Sequence, residues 1–308
     1  MQAIVAHNLA RRYASGRGVC GLSLGVAAGE CYAVLGRNGS GKSTLVRLLL
    51  ALERPDAGDL EVLGESVARG SRRHLAGCGA ALDRPVYWEA LTGRQNAAFA
   101  LAQYGDHTTA PARLAAWLDR AGLAAQADDP VATYSYGMRK KLSLIEALAH
   151  EPALAILDEP TAGVDPQFLV ELAGEISGRS RGGRTTFIAS NDPDWIARVA
   201  TRVAFVEAGC IVAEGTVEDL LAGVARLQEV QITLETAAPV PSPTDLPGLE
   251  SCVQDGAALT AMMADDPHLV PRLLERLTAA GAAVRRLEVR RPSLRDAFLL
   301  ATGKAVDA

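Results

Sequence analysis

GRNGSGKST, residues 36–44, lies between the apolar run CYAVL and the run LVRLLLAL. Its spacing is G-x-x-x-x-G-K-[ST], placed where a strand ends and a helix begins. The glycines let backbone N–H groups turn inward around phosphate oxygens, and the start of the following helix adds its partial positive charge. Gly36, Arg37, Asn38, Gly39, Ser40, Gly41, Lys42, Ser43 and Thr44 are therefore the phosphate-binding candidates. Lys42 is placed to reach β- and γ-phosphates, and the Ser43 hydroxyl to ligate Mg²⁺. A strand–loop–helix unit of this kind belongs to an α/β fold, and the rest of the chain can be read outward from it.

The 308 residues are 49% hydrophobic and 22% charged, enough apolar surface for a sizeable core in one large domain or two smaller ones. A net charge of −5 argues against nonspecific nucleic-acid binding, and the basic run RRLEVRR, residues 285–291, reads as the solvated face of a strand. Five scattered cysteines without a CxxC pair suit a reducing cytosol. MQAIVAHNLARRY has no signal-peptide core, and no uncharged apolar run reaches the roughly 18 residues of a membrane helix. The expectation is a chain that does not span a membrane.

Short strands are expected near Ile4, over residues 22–26 and over residues 31–35, with a helix from Lys42 to about Leu52. DLEVLG and CGAALD read as further strands, and residues 91–125 as an alanine-rich helical stretch. Met138, Leu142, Ile145 and Leu148 form one stripe at helical spacing, and ALAIL, residues 153–157, reads as a strand buried on both faces. A helix from about Asp165, the strand TTFIAS, another helix and the hairpin RVAFVEAGCIVAEG complete the first unit. Alternating strands and helices argue a largely parallel sheet. After about residue 225 come the strand QEVQITLE, a proline-rich stretch over residues 237–248, a strand over 259–263, a helix over 268–280, a strand over 283–289 and a last helix from Ser293. These elements make a small α+β appendage.

Three more stretches carry chemistry. LAILDEP, residues 154–160, delivers Asp158 and Glu159 at the carboxyl end of a buried strand, where ligands of α/β sheets bind. One carboxylate can hold Mg²⁺ and the next orient or deprotonate an attacking water. YSYGMRKKL, residues 134–142, opens a helix with a Ser-x-Gly turn, so that Ser135 and the backbone at Gly137 make either an N-cap or an anion site. TTFIASNDPDW, residues 185–195, ends a buried strand in Asn191 and Asp192, which is turn and cap chemistry or a side chain facing a ligand.

Taken together and in this order, these stretches resemble the nucleotide-binding subunits of ATP-binding cassette (ABC) transporters. GRNGSGKST resembles their Walker A motif, LAILDEP their Walker B, YSYGM a variant of the LSGGQ signature, and TAGVD, with Asp165, the D-loop. Tyr13 stands where the family places an aromatic residue that stacks on adenine, and residues 82–96 resemble the Q-loop and the segment after it. The resemblance covers roughly residues 2–225, with a helical subdomain over about 84–150. It implies a P-loop NTPase fold, ATP and Mg²⁺ as cofactors, Glu159 and Asn191 as catalytic groups, and Ser43, Asp83 and Asp158 around the metal. It also implies a second nucleotide-binding subunit, a polytopic membrane permease and a place on the cytoplasmic face of the membrane. PSLRDAFLLATG, residues 292–303, resembles the end of the small C-terminal domain of exporters, so residues 226–308 are expected to form an accessory domain.

The chain departs from the pattern at three places. Asp83 stands for the Q-loop glutamine, Asn191 for the switch histidine, and Tyr136 for the first signature glycine. Asparagine can donate a hydrogen bond to a γ-phosphate oxygen but carries no proton at neutral pH. The leading expectation is the ATPase subunit of an exporter. A slow ATP-dependent switch and a soluble ABC ATPase without a permease are the alternatives; neither the coiled-coil insertion of the repair type nor the paired cassettes of the translation type is visible here.

Overall fold

The computed structural model describes residues 1–67, 72–104, 110–235, 245–304 and 306. Most of the proline-rich stretch, residues 237–244, and part of the alanine-rich helical stretch, residues 105–109, lie outside them. The chain divides into two compact units at Glu214/Gly215, ahead of the boundary expected near residue 225.

The first unit opens with β1 (Gln2–Arg12), β2 (Gly18–Ala27) and β3 (Cys31–Leu35), followed by α1 (Lys42–Leu49). β4 (Ala57–Val62), β5 (Glu65–Ser66) and β6 (Cys78–Ala81) lead to α2 (Gly93–Ala102), α3 (Ala110–Arg120) and α4 (Tyr136–Leu148). Then come β7 (Leu154–Asp158), α5 (Pro166–Arg181), β8 (Thr185–Ser190), α6 (Pro193–Val199), β9 (Arg202–Glu207) and β10 (Cys210–Thr216).

One sheet has the order β10-β9-β3-β8-β7-β6, and its strands β6, β7, β8, β3 and β9 run parallel. Every residue of β3, β7 and β8 is buried, which is why these strands are apolar runs without alternation. The parallel arrangement sends the carboxyl ends of β3, β7 and β8 to one edge, where the phosphate loop, Asp158 and Asn191 lie. A second sheet, β2-β1-β4-β5, is antiparallel; β1, β2 and β4 answer the strands expected near Ile4, over residues 22–26 and at DLEVLG, and the two-residue β5 comes in addition. Its strands alternate only in part, and β1 and β2 are bulged, so the period-2 signal is broken. Ile4, Leu24, Leu45, Leu48, Leu60 and Phe187 belong to the core beneath both sheets.

Helix starts follow cap chemistry. Ser135 accepts from the Met138 N–H, Asp165 from Phe168 with Pro166 at the first turn, and Asp192 from Trp195 with Pro193 at the first turn. The capping role expected of Asp192 holds. α1 ends at Leu49, about a turn short of expectation.

The second unit contains α7 (Val217–Ala222), β11 (Leu227–Leu234), β12 (Leu249–Asp255), β13 (Ala258–Ala264), α8 (Leu269–Ala279), β14 (Val284–Arg290) and α9 (Leu294–Thr302). Its antiparallel sheet has the order β12-β13-β11-β14, with Val230, Ile232, Met263, Leu273 and Leu277 in its core. β12 and α7 come in addition to the elements expected from the sequence. β14, which carries RRLEVRR, is exposed along nearly its whole length, as expected of a solvated face.

Glu146 on α4 supplies a pH test of stability. Its residue keeps some accessible area, yet burial of the carboxyl pushes its pKa from 4.5 up to about 8, against an opposing hydrogen bond with Tyr87. A carboxyl whose folded pKa is raised binds its proton more tightly in the native state. The contribution of Glu146 to stability is therefore fullest below about pH 4.5 and falls away as the pH rises to about 8. Each tenfold gain in proton affinity on folding contributes at most about 1.4 kcal/mol to that fall. Glu146→Gln is expected to flatten it and to raise the melting temperature at pH 8 relative to the parent. Thermal melts of both proteins across pH 5–9 check it.

Candidate nucleotide site

α1 opens on Gly41, whose φ of 110° places it in left-handed backbone, and no side chain caps the helix. A Cβ at Gly41 would stand 2.5 Å from the Gly18 carbonyl oxygen, so only glycine fits. The first N–H groups of a helix have no partner within it. Uncapped, those of α1 face an open cavity of about 340 Å³ lined by Tyr13, Arg17, Asn38, Lys42, Asp83 and Glu159, among others. This is the chemistry a polyphosphate requires.

Lys42 is 4% exposed. Its Nζ donates to the Gly36 and Arg37 carbonyl oxygens at 2.7 and 3.2 Å and sits 3.1 Å from Glu159 Oε1. The ammonium is thus held over the loop by groups that a phosphate can replace. Ser43 Oγ donates to Asp158 Oδ1 at 3.4 Å. Asp158 is buried, and burial, with the neighbouring Glu159 charge adding to it, pushes its carboxyl up to about 6. An environment that disfavours the bare carboxylate favours a cation beside it. Asp83 lines the same cavity. The oxygen donors Ser43, Asp158 and Asp83 suit Mg²⁺, which takes one or two carboxylates and completes its shell with phosphate and water. No group of three or more His, Cys, Asp or Glu able to cage a metal occurs among the described residues.

Glu159 follows β7 with a φ of 46°, left-handed for a residue other than glycine. Its N–H donates to the Ala189 carbonyl at 2.8 Å, and its Oε2 accepts from the Asn191 N–H at 3.0 Å. The strained backbone persists because the end of β8 and the residue after it hold Glu159 by its N–H and its carboxylate. Asn191 therefore neither caps α6 nor reaches Glu159 through its side chain; its backbone amide holds the carboxylate.

Tyr13 lines the cavity, and its hydroxyl donates to Glu53 Oε1 at 2.6 Å. Glu53 also accepts from Arg11 at 3.0 Å, and the Arg11 guanidinium lies 5.4 Å from the Tyr13 ring centroid. The ring is thereby held at one angle. Ser135 and Gly137 lie at the start of α4 and do not line this cavity. A Cβ at Gly137 would meet the Gly163 carbonyl oxygen at 2.4 Å, a physical reason for glycine there. Asp165, also outside the cavity, caps α5 and pairs with Lys141.

Two residues at the site have no signal in the sequence. Arg17 lines the cavity from the β1–β2 turn, at no fixed spacing from Lys42. Lys140 is fully buried on α4 and donates to the Asp158 and Leu82 carbonyl oxygens at 2.7 and 2.9 Å. Burial lowers its pKa, and the charges of Asp83, Asp158 and Glu159 act against that shift. A lysine in the stripe-bearing helix YGMRKKLSL reads as solvated until the neighbouring carbonyls are known.

Comparison with known proteins bears on the whole chain. The family model described as "ABC transporter" matches residues 19–162. The chain is 35% identical to daunorubicin resistance ATP-binding protein DrrA3 of Streptomyces coeruleorubidus, over 98% of this chain and 96% of that one. It is 31% identical to Nod factor export ATP-binding protein I of Rhizobium sp. (strain N33), over 94% and 93%. A solved structure described as an ATP-binding subunit of an ABC transporter superposes with a TM-score of 0.67 at 25% identity, covering 72% of this chain and 92% of that one.

Proposed function

Because the chain belongs to the ABC transporter family, we propose that it binds and hydrolyses ATP as one of two cassettes serving a separate membrane permease, and that the transporter is an exporter. The observation that carries the ATPase reading is the meeting of Lys42, Glu159, Asp158 and Ser43 at one edge of the sheet, with Lys42 3.1 Å from Glu159. The export reading rests on relatives named for drug resistance and Nod factor export. No helix among the described residues is long and apolar enough to cross a membrane, which fits a permease supplied by another chain.

In this reading Lys42 exchanges the Gly36 and Arg37 carbonyls and Glu159 for the β- and γ-phosphates. Ser43, Asp158 and Asp83 would hold Mg²⁺, which would draw charge from the phosphate oxygens. Glu159, freed from Lys42 and still held by the Asn191 N–H, orients the attacking water or takes its proton. Tyr13 stacks on adenine. Ser135, Gly137 and Asp165 serve the nucleotide of a second cassette. The segment after the Q-loop and the helices α2 and α3 face the permease, and the accessory domain expected over residues 226–308 braces the dimer.

A slow switch is the second reading, and Asn191 favours it. Its side chain is expected at the γ-phosphate, where it can donate but not carry a proton. Basal turnover by the isolated chain is expected to be measurable and slow, and Asn191→His to raise it several-fold. Phosphate release by both proteins decides the matter: equal or lower turnover by the histidine variant removes the damaged-switch interpretation. Copurification with a permease and scoring of compounds that stimulate ATPase tests the export reading.

A further inference from the structure

Two positions at which the chain departs from its family touch each other. Tyr136 replaces the first glycine of the signature and Asp83 the glutamine of the Q-loop; the Tyr136 hydroxyl donates to the Asp83 carbonyl oxygen at 3.2 Å. Four residues further along α4, Lys140 Nζ donates to the carbonyl oxygens of Leu82 at 2.9 Å, Asp83 at 3.5 Å and Asp158 at 2.7 Å. Residues four apart share one face of a helix, so α4 grips the end of β6 at two points one turn apart. A single bond would leave the helix free to pivot; two fix its angle as well as its distance.

Lys140 is 0% exposed, and the three donors of its ammonium all go to backbone carbonyls. Burying that charge is costly, and an apolar side chain of similar volume would pack there at no such cost. What the ammonium adds is a fixed junction between α4, residues 82–83 and the end of β7. The Tyr136 ring extends the junction to TAGVD, because a Cβ at Gly163 would lie 2.6 Å from a Tyr136 ring carbon.

We infer that Lys140 and Tyr136 are positioning residues that fasten the start of the signature helix to Asp83 and to the Walker B strand, so that these parts answer nucleotide as one body. The inference rests on the reading of Asp83 and Glu159 as groups that face ATP. Neither Lys140 nor Tyr136 touches the reacting atoms; both act through the placement of those that do.

Hydrogen–deuterium exchange on the full chain, with and without Mg·ATP, tests this alongside basal ATPase. Without nucleotide, Lys140→Met is expected to speed exchange over residues 82–86 and 134–139 together and to leave residues 36–44 unchanged. With Mg·ATP, the parent is expected to gain protection in all three stretches. Lys140→Met keeps it only at residues 36–44. Misplacing a catalytic group by about 1 Å costs on the order of 10²-fold. The kcat of Lys140→Met is therefore expected to fall at least about tenfold with KM changed less than about threefold, and Lys140→Arg to recover most of the loss. Tyr136→Phe removes one hydroxyl from a half-exposed ring and is expected to give a smaller loss of the same kind, which keeps the idea testable should Lys140→Met fail to fold. Unchanged exchange over residues 82–86 in both variants, or kcat and Mg·ATP affinity falling in parallel with melting temperature, would overturn the proposal. A parent that does not bind Mg·ATP refutes the ATPase reading instead, while the nucleotide-free comparison still decides the tether.

Discussion

Glu159→Gln is expected to lower kcat for ATP hydrolysis by about 10²–10⁴-fold, the range a positioned general base contributes, while Mg·ATP binds at least as tightly as to the parent. The two halves of this expectation have one structural cause. Glu159 sits 3.1 Å from Lys42, so in the nucleotide-free protein the carboxylate competes with phosphate for the ammonium. A neutral amide keeps the shape and can still accept from the Asn191 N–H, but it holds the lysine less firmly and cannot take a proton from water. Steady-state phosphate release together with calorimetric titration separates the two effects. Weaker Mg·ATP binding by the glutamine variant would show that the Lys42–Glu159 pair does not oppose phosphate.

Lys42→Ala is expected to act in the opposite way on binding. A hydrogen bond to a charged group is worth about 1.5–3 kcal/mol, and in the proposed reading the ammonium would make two such contacts, to the β- and γ-phosphates, so affinity should fall by roughly 10²-fold or more. Hydrolysis should fall below detection, because the γ-phosphate loses its charge partner. The helix start keeps its uncapped N–H groups, and residual weak binding is therefore expected rather than none. Equal affinity in the alanine variant would mean that phosphate does not sit over α1. The pair of variants is more informative than either alone: one loses turnover and keeps ATP, the other loses turnover and binds ATP only weakly.

Much of this site is legible without the fold. The turn after β3, the carboxylates after β7 and the caps at Ser135, Asp165 and Asp192 depend on residues within a few positions of one another. Their chemistry is local: a glycine with φ near 110°, a strand that ends in acids, a side chain that closes a helix start. The two-residue strand β5 and the bulged strand β12 are less visible, because a short or bulged strand shows too little of the alternation that would announce it.

Asn191 illustrates the division. Sequence alone leaves it between a cap and a ligand, and assigns the cap to its neighbour Asp192. That its N–H binds Glu159 follows only from β7 and β8 being neighbours in the sheet, which sets residues 32 apart in sequence at hydrogen-bonding distance. The same holds for Glu53, which sets the Tyr13 ring from 40 residues away, and for Lys140, whose carbonyl partners come from two other elements. The sequence by itself determined the phosphate loop, the acidic strand end and the family, since each is a short run whose backbone and side chains specify one conformation and one chemistry. Only the tertiary structure decided which groups hold those residues in place, because strand order and burial turn a lysine or a backbone amide with no local signal into a necessary partner.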